Sequence, residues 1–144
     1  MKIKTKLINT TDPQFLPTRK YSNDAGADLR ARINGTFAIY PGEICKIPTG
    51  VAVEIPAGYV GMIQPRSGAS SEGKVAITGT IDHGFTGEMS INLINLSRCA
   101  ITISPGERLA QLVIVPCFIA EFERVEELEE SERGSSGFGS SGKY

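Results

Sequence analysis

The chain has 144 residues, 40% of them hydrophobic, and a formal net charge of −1 at neutral pH. That length and apolar content suit one domain with a real core, and a near-neutral balance without a basic run excludes an electrostatic footprint for long nucleic acid. No apolar stretch approaches the roughly 20 residues that a membrane-spanning helix needs. The expected partner is therefore small, no membrane partner is expected, and the expected location is cytoplasmic, or the host cytoplasm or nucleus if the gene is viral. Three cysteines, Cys45, Cys99 and Cys117, lie too far apart for C-x-x-C chemistry. They read as small apolar fillers in a reducing compartment.

In chain order, short alternating or β-branched runs recur: KIKTKLI at the start, FAIY from Phe37, CKIPTGVAVEIP from Cys45, GYVGMIQP from Gly58, EMSINLINL from Glu88, AITI from Ala100 and LAQLVIVPCFIAEF from Leu109. Each predicts a strand. Pro41-Gly42, Pro56-Ala57-Gly58 and Pro105-Gly106 are turn signals at short spacing, which favours an all-β sandwich or jelly roll. One short helix is predicted from Ser67 toward Glu72. VEELEESE from Val125 reads as another helical turn or as a solvated acidic hinge. The expected division is a β-domain over residues 1–130 and a Gly/Ser-rich arm over residues 131–144.

That arm, RGSSGFGSSGKY, matches two phosphate-loop patterns by spacing. Gly137, Gly139 and Gly142 fit G-x-G-x-x-G, and Gly137 to Lys143 fit most of a Walker A loop. Neither reading holds, because only Tyr144 follows the lysine and no helix can cap the loop. What remains is a guanidinium, hydroxyls, free backbone N–H groups and one ring, which suit either a spacer or an arm that closes over an anion.

Four body stretches are polar and glycine-containing where any turn would serve a purely structural β-protein: DAGADLRA, PRSGAS, GTIDHGFTGE and PGERLAQ. Together with the tail, in this order, they resemble the five motifs of the trimeric dUTP diphosphatase (dUTPase) family. The resemblance implies a jelly-roll homotrimer with sites shared among subunits, which splits dUTP into dUMP and pyrophosphate with Mg²⁺ on the triphosphate. Asp82 matches the water-activating carboxylate. On its residues alone, without the other motifs, an aspartate bonding the backbone of its own turn is the preferred reading.

Asp28 matches the carboxylate that reaches Mg²⁺ through coordinated water; pairing with Arg66 is its structural alternative. Arg66, Ser67, Gly68 and Gln111 match phosphate-contacting positions, whereas Gly106, Glu107 and Arg108 read as turn and scaffold. Base and sugar recognition falls in a hairpin from Gly79 to Ser90, including Ile81. Phe85 stands where the family usually has tyrosine, with its ring packed on deoxyribose. The same stretch lacks an asparagine often found before the catalytic turn. His83 beside Asp82 reads as a solvent-facing turn residue. Arg133, Ser135, Ser140 and Ser141 match the clasp on the terminal phosphates; Phe138 matches the ring stacked on uracil, next to Gly139. Three other readings stand beside this one: a dCTP deaminase-like enzyme of the same fold, a non-enzymatic nucleotide-binding regulator, and a jelly-roll capsid or adhesion module that would not bind dUTP.

Overall fold

A computed structural model of the chain describes residues 1–137. Eleven strands run in chain order as β1 (Lys4–Leu7), β2 (Ala27–Arg30), β3 (Phe37–Ile39), β4 (Ile44–Pro48), β5 (Val51–Glu54), β6 (Tyr59–Pro65), β7 (Lys74–Ile77), β8 (Gly79–Ile81), β9 (Ser90–Asn95), β10 (Ile101–Ile103) and β11 (Arg108–Pro116). A single α-helical turn, α1 (Ser67–Ser71), follows β6, and a 3-10 turn spans Pro13–Phe15. The fold is all-β, as the short alternating runs predict.

All the pairings are antiparallel. One sheet has the order β2-β11-β6-β8, a second β4-β9-β7, and β1-β5 and β3-β10 form two-stranded ribbons. Alternation decides what each strand buries. In β9, Ile91, Leu93 and Asn95 point inward while Asn92 is exposed, and the inward residues meet Leu29, Ile47, Val51 and Ile103, all fully buried. Asn95 tolerates burial because its amide donates to the Ile39 and Cys99 carbonyls at 2.9 and 2.8 Å while its oxygen accepts from the Ser97 amide at 2.8 Å; a buried amide left unpaired would cost about 1–3 kcal/mol.

Two readings of the sequence need correction, and one open alternative is decided. The run from Cys45 is two strands, because Gly50 adopts φ +74, a left-handed conformation open to glycine. Its amide donates to Glu88 Oε1 at 2.7 Å, and Glu88 is also bound to Arg32. The run from Leu109 ends as a strand at Pro116 rather than Phe122, and Phe118, Ile119 and Phe122 stand 97%, 89% and 99% exposed. The Val125 stretch forms no helix among the described residues; consecutive glutamates repel one another and leave too few apolar positions to pack a helical face.

Candidate functional site

Strand register assembles one half of the site. Asp28 on β2 faces Gln111 on β11, which faces Gln64 on β6, so one row of polar side chains crosses three strands. The Asp28 amide donates to the Thr18 carbonyl at 2.7 Å, tying the incoming loop to the strand. β6 ends at Pro65, and Arg66 then takes an extended conformation at the cap of α1. Its Nε lies 2.6 Å from Asp28 Oδ1, and its Nη1 donates to the Arg108 carbonyl at 3.0 Å. Gln111 Nε2 donates to the Pro65 carbonyl at 2.9 Å, so the amide is fixed in direction. Gly26 leaves room for that amide: a Cβ there would overlap Gln111 Oε1 and force the side chain to shift.

Arg108 does more than the scaffold role read from sequence. The register of β11 against β2 slips between Arg108 and Ala110, a bulge that re-aims the side chain, and its Nη1 reaches Asp28 Oδ2 at 3.4 Å. Asp28 therefore has one guanidinium on each oxygen, its side chain 13% exposed. Glu107 is scaffold as expected, accepting from Lys74 Nζ at 2.5 Å and from the Ser104 amide at 2.9 Å. Ser67 and Gly68 stand exposed at the start of α1, where the first helical N–H groups have no intrahelical acceptor and are open to an anion. Lys20, Tyr21, Asp24, Ala25 and Gly26 close the other wall, giving a cleft of about 380 Å³ with Asp28, Arg66 and Gln111. Lys20 and Tyr21 carry no motif and were missed by sequence reading, and Asp24, though it opens the DAGADLRA stretch, was given no role; their nearness comes from the loop's return to Thr18.

The second half lies at the other end of β6. Ile81 on β8 faces Gly61 and Gly79 faces Ile63, so Asp82 continues past Val60, four residues from the row of Gln64 and Gln111. At about 3.3 Å per residue that is about 13 Å along the strand. The Asp82 carbonyl accepts from the Phe85 amide at 3.2 Å and closes the turn. Its exposed carboxylate makes no hydrogen bond or ion pair among the described residues, so it does not serve its own turn. His83 is not simply solvent-facing: its Nδ1 sits 2.7 Å from the Ile55 carbonyl, and since a carbonyl only accepts, Nδ1 carries the proton. The Phe85 ring, 44% exposed, lies against Gly87, where a Cβ would come within 2.8 Å of it.

The stretch from Gly79 to Ser90 is not a hairpin. β8 pairs with β6, whereas Ser90 opens β9 opposite Pro48 in the other sheet. β8 ends its sheet, leaving one edge of backbone donors and acceptors unpaired by that sheet. Arg133 and Ser135 are exposed and line neither half; Arg133 Nε donates to the Ser136 carbonyl at 3.1 Å. Phe138, Gly139, Ser140 and Ser141 lie outside the described residues. No cluster of three metal-ligating side chains occurs among the described residues, and no helix there is long and apolar enough to cross a membrane.

Comparison with known proteins adds an independent line. A profile of the dUTPase family matches residues 12–142. The chain is 44% identical over 131 residues to a deoxyuridine 5'-triphosphate nucleotidohydrolase of Bdellovibrio bacteriovorus, covering 89% of this chain and 88% of that one. It is 37% identical to the enzyme of the same name from Burkholderia cenocepacia, with both chains covered in full. Among solved structures, a Staphylococcus bacteriophage 80alpha dUTPase variant with dUpNHpp superposes with a TM-score of 0.86 at 36% identity, covering 98% of each chain. A dUTPase variant of phage phi11 of S. aureus, described with a structural Mg(II) ion, gives 0.77 at 32% identity over 90% of this chain and 100% of that one.

Proposed function

The chain belongs to the dUTPase family and is a dUTP diphosphatase, hydrolysing dUTP to dUMP; from that premise we propose how its residues divide the work. Asp82 is the general base. Its carboxylate accepts a proton from water as the water oxygen attacks the α-phosphorus; the bond from that phosphorus to the bridging oxygen breaks, and pyrophosphate leaves with the bond's electron pair. The observation that carries this assignment is the exposed carboxylate of Asp82, unengaged among the described residues, on a turn closed by its own backbone.

The row at the other end of β6 holds the phosphates. Arg66 offers the donors not spent on Asp28, Ser67 and Gly68 offer helix-start N–H groups and a hydroxyl, and Gln111 presents an amide fixed by Pro65. The donor set fits Mg²⁺ held on the substrate rather than in a protein cage. Asp28 is one carboxylate whose two oxygens each keep capacity beyond the guanidinium they face, enough to accept from a metal-bound water, and Mg²⁺ commonly keeps several waters. When bound, the ion supplies charge neutralisation on the triphosphate.

The free edge of β8, at Gly79 and Ile81, supplies backbone donors and acceptors for the uracil edge, with Ser90 nearby in sequence and Phe85 as the surface for deoxyribose. Residues 131–144 form the arm, in which Arg133, Ser135, Ser140 and Ser141 clasp the terminal phosphates and Phe138 covers the base beside Gly139.

The two halves come from different copies of a homotrimer. Within one chain they lie about 13 Å apart along β6, too far for one α-phosphate to meet both. The exposed Phe118, Ile119 and Phe122 supply apolar surface for association.

Asp82→Asn tests the assignment: binding of dUpNHpp stays within a few-fold of wild type while turnover falls about 10²–10⁴-fold, the usual worth of a positioned base. Turnover within a few-fold of wild type removes Asp82 from the role. Release of pyrophosphate rather than ammonia in the same assay separates this chemistry from deamination.

A further inference from the structure

The loop between Thr18 and Gly26 holds two consecutive basic residues with divided work. Arg19 is spent on the loop itself, its Nε donating to the Asp24 carbonyl at 2.8 Å and its guanidinium reaching the Ala25 carbonyl at 3.4 Å. The Tyr21 amide donates to Asp24 Oδ2 at 3.0 Å and the Asp24 amide to the Tyr21 carbonyl at 3.1 Å, closing a tight turn. With the Asp28 amide bound to Thr18, the loop is stapled at both ends. Its rigidity carries Lys20 to the cleft that also contains Asp28, Arg66 and Gln111.

Charge in that cleft singles Lys20 out. Arg66 and Arg108 share the Asp28 carboxylate, and Asp24 is engaged with the Tyr21 amide. Lys20 has no carboxylate partner among the described residues; its Nζ rests 5.2 Å from the centroid of the Tyr21 ring, a contact that keeps the charge intact and is weak at an exposed site. Arg66 and Arg108 together offset Asp24 and Asp28 in formal charge, so Lys20 is the charge that makes the cleft positive overall and attractive to a polyphosphate.

We propose that Lys20 is a further substrate-binding residue that contacts the pyrophosphate portion of dUTP. The proposal rests on the reading of this cleft as the phosphate site and extends it to a residue outside the sequence motifs. A lysine suits the task as a compact charge on a long stem: it reaches across the cleft toward Arg66 and donates to phosphate oxygens without needing the fixed fork of a guanidinium.

The test compares Lys20→Met, Lys20→Arg and Arg66→Gln in the full-length protein, measuring kcat and KM for dUTP and inhibition by inorganic pyrophosphate and by dUMP. Lys20→Met is expected to raise KM about tenfold, the low end for losing a hydrogen bond to a charged group, with kcat within twofold. Pyrophosphate inhibition should weaken by a similar factor, dUMP inhibition should hold, and Lys20→Arg should recover most of the loss. Exposure of Lys20 means that the melting temperature should not move. If Lys20→Met leaves KM and pyrophosphate inhibition within twofold of wild type while Arg66→Gln changes both, Lys20 is no ligand and the phosphate cleft stands. If neither variant changes them, the cleft itself is misassigned and the proposal falls with it. Equal weakening of dUMP and pyrophosphate inhibition by Lys20→Met would also overturn it, by showing an effect not confined to the leaving pyrophosphate.

Discussion

Phe85 and Gly87 show how one missing side chain shapes a surface. The end of the ring occupies space that a Cβ at residue 87 would contest at 2.8 Å, and the residue stays 44% exposed. In the role proposed for it, a ring packed against deoxyribose leaves no room for a 2′-hydroxyl, and needs no phenolic oxygen to do so. Phe85→Ala should therefore narrow the preference for dUTP over UTP by about 1–3 kcal/mol, the range open to discrimination by packing alone. The ratio of kcat/KM values reads this directly; an unchanged ratio places sugar recognition elsewhere. Gly26 follows the same logic at the other half, where absence of a Cβ admits the Gln111 amide.

At the scale of elements, the turn proposed to bind phosphate is held by ion pairs around one buried lysine that spacing rules do not reveal. Lys74, 9% exposed at the start of β7, places Nζ 2.5 Å from Glu107 and 3.1 Å from Glu72. It thus joins the segment after α1 to the turn that launches Arg108. Burial alone would lower its pKa, but the hydrogen bonds and charges of Glu107 and Glu72 outweigh burial and hold it above the usual 10.5. A lysine whose folded pKa is raised stabilises fully below the unfolded value and loses that contribution as pH rises through the folded one. Lys74→Met should therefore cost about 1–3 kcal/mol near neutrality, as expected for a charged hydrogen bond left unmade. Denaturant midpoints should show the gap to wild type shrinking above about pH 10.5. A gap constant across that range would mean that only the packing of the stem matters.

The same scale shows what sequence patterns carry. Runs such as Ser90–Asn95 and Tyr59–Pro65 alternate cleanly and are found where expected. Lys74–Ile77 and Gly79–Ile81 are too short and too close together to stand out as separate strands, and they enter different sheets. Ala27–Arg30 was visible only as a motif, because Asp28 within it and Asp24 and Gly26 just before it mask its β-character. The run through Phe118 and Phe122 has strand composition, yet among the described residues it pairs with no strand. Asp28, Arg66 and Gln111 were legible because their motif spacing is distinctive; Lys20 and the second arginine on Asp28 were not, because a return loop and a bulge bring them there.

For the whole molecule, the central claim is that each site draws Asp82 and the closing arm from different copies. A chain truncated before Arg133 keeps every described strand and should fold and associate, but hydrolyse dUTP poorly for lack of the clasp and the stacking ring. Asp82→Asn should fail separately, for want of an activated water. Unfolding the two variants together and refolding them produces mixed trimers, some of whose sites combine an intact Asp82 from the truncated chain with an intact arm from the other. Steady-state dUTP hydrolysis by such verified mixed trimers is the decisive measurement. Activity should appear after co-refolding, at a sizeable fraction of wild type per reconstituted site, and stay absent when preformed parents are mixed without exchange. Mixed trimers as inactive as both parents would contradict the shared site and place the arm over its own chain's Asp82.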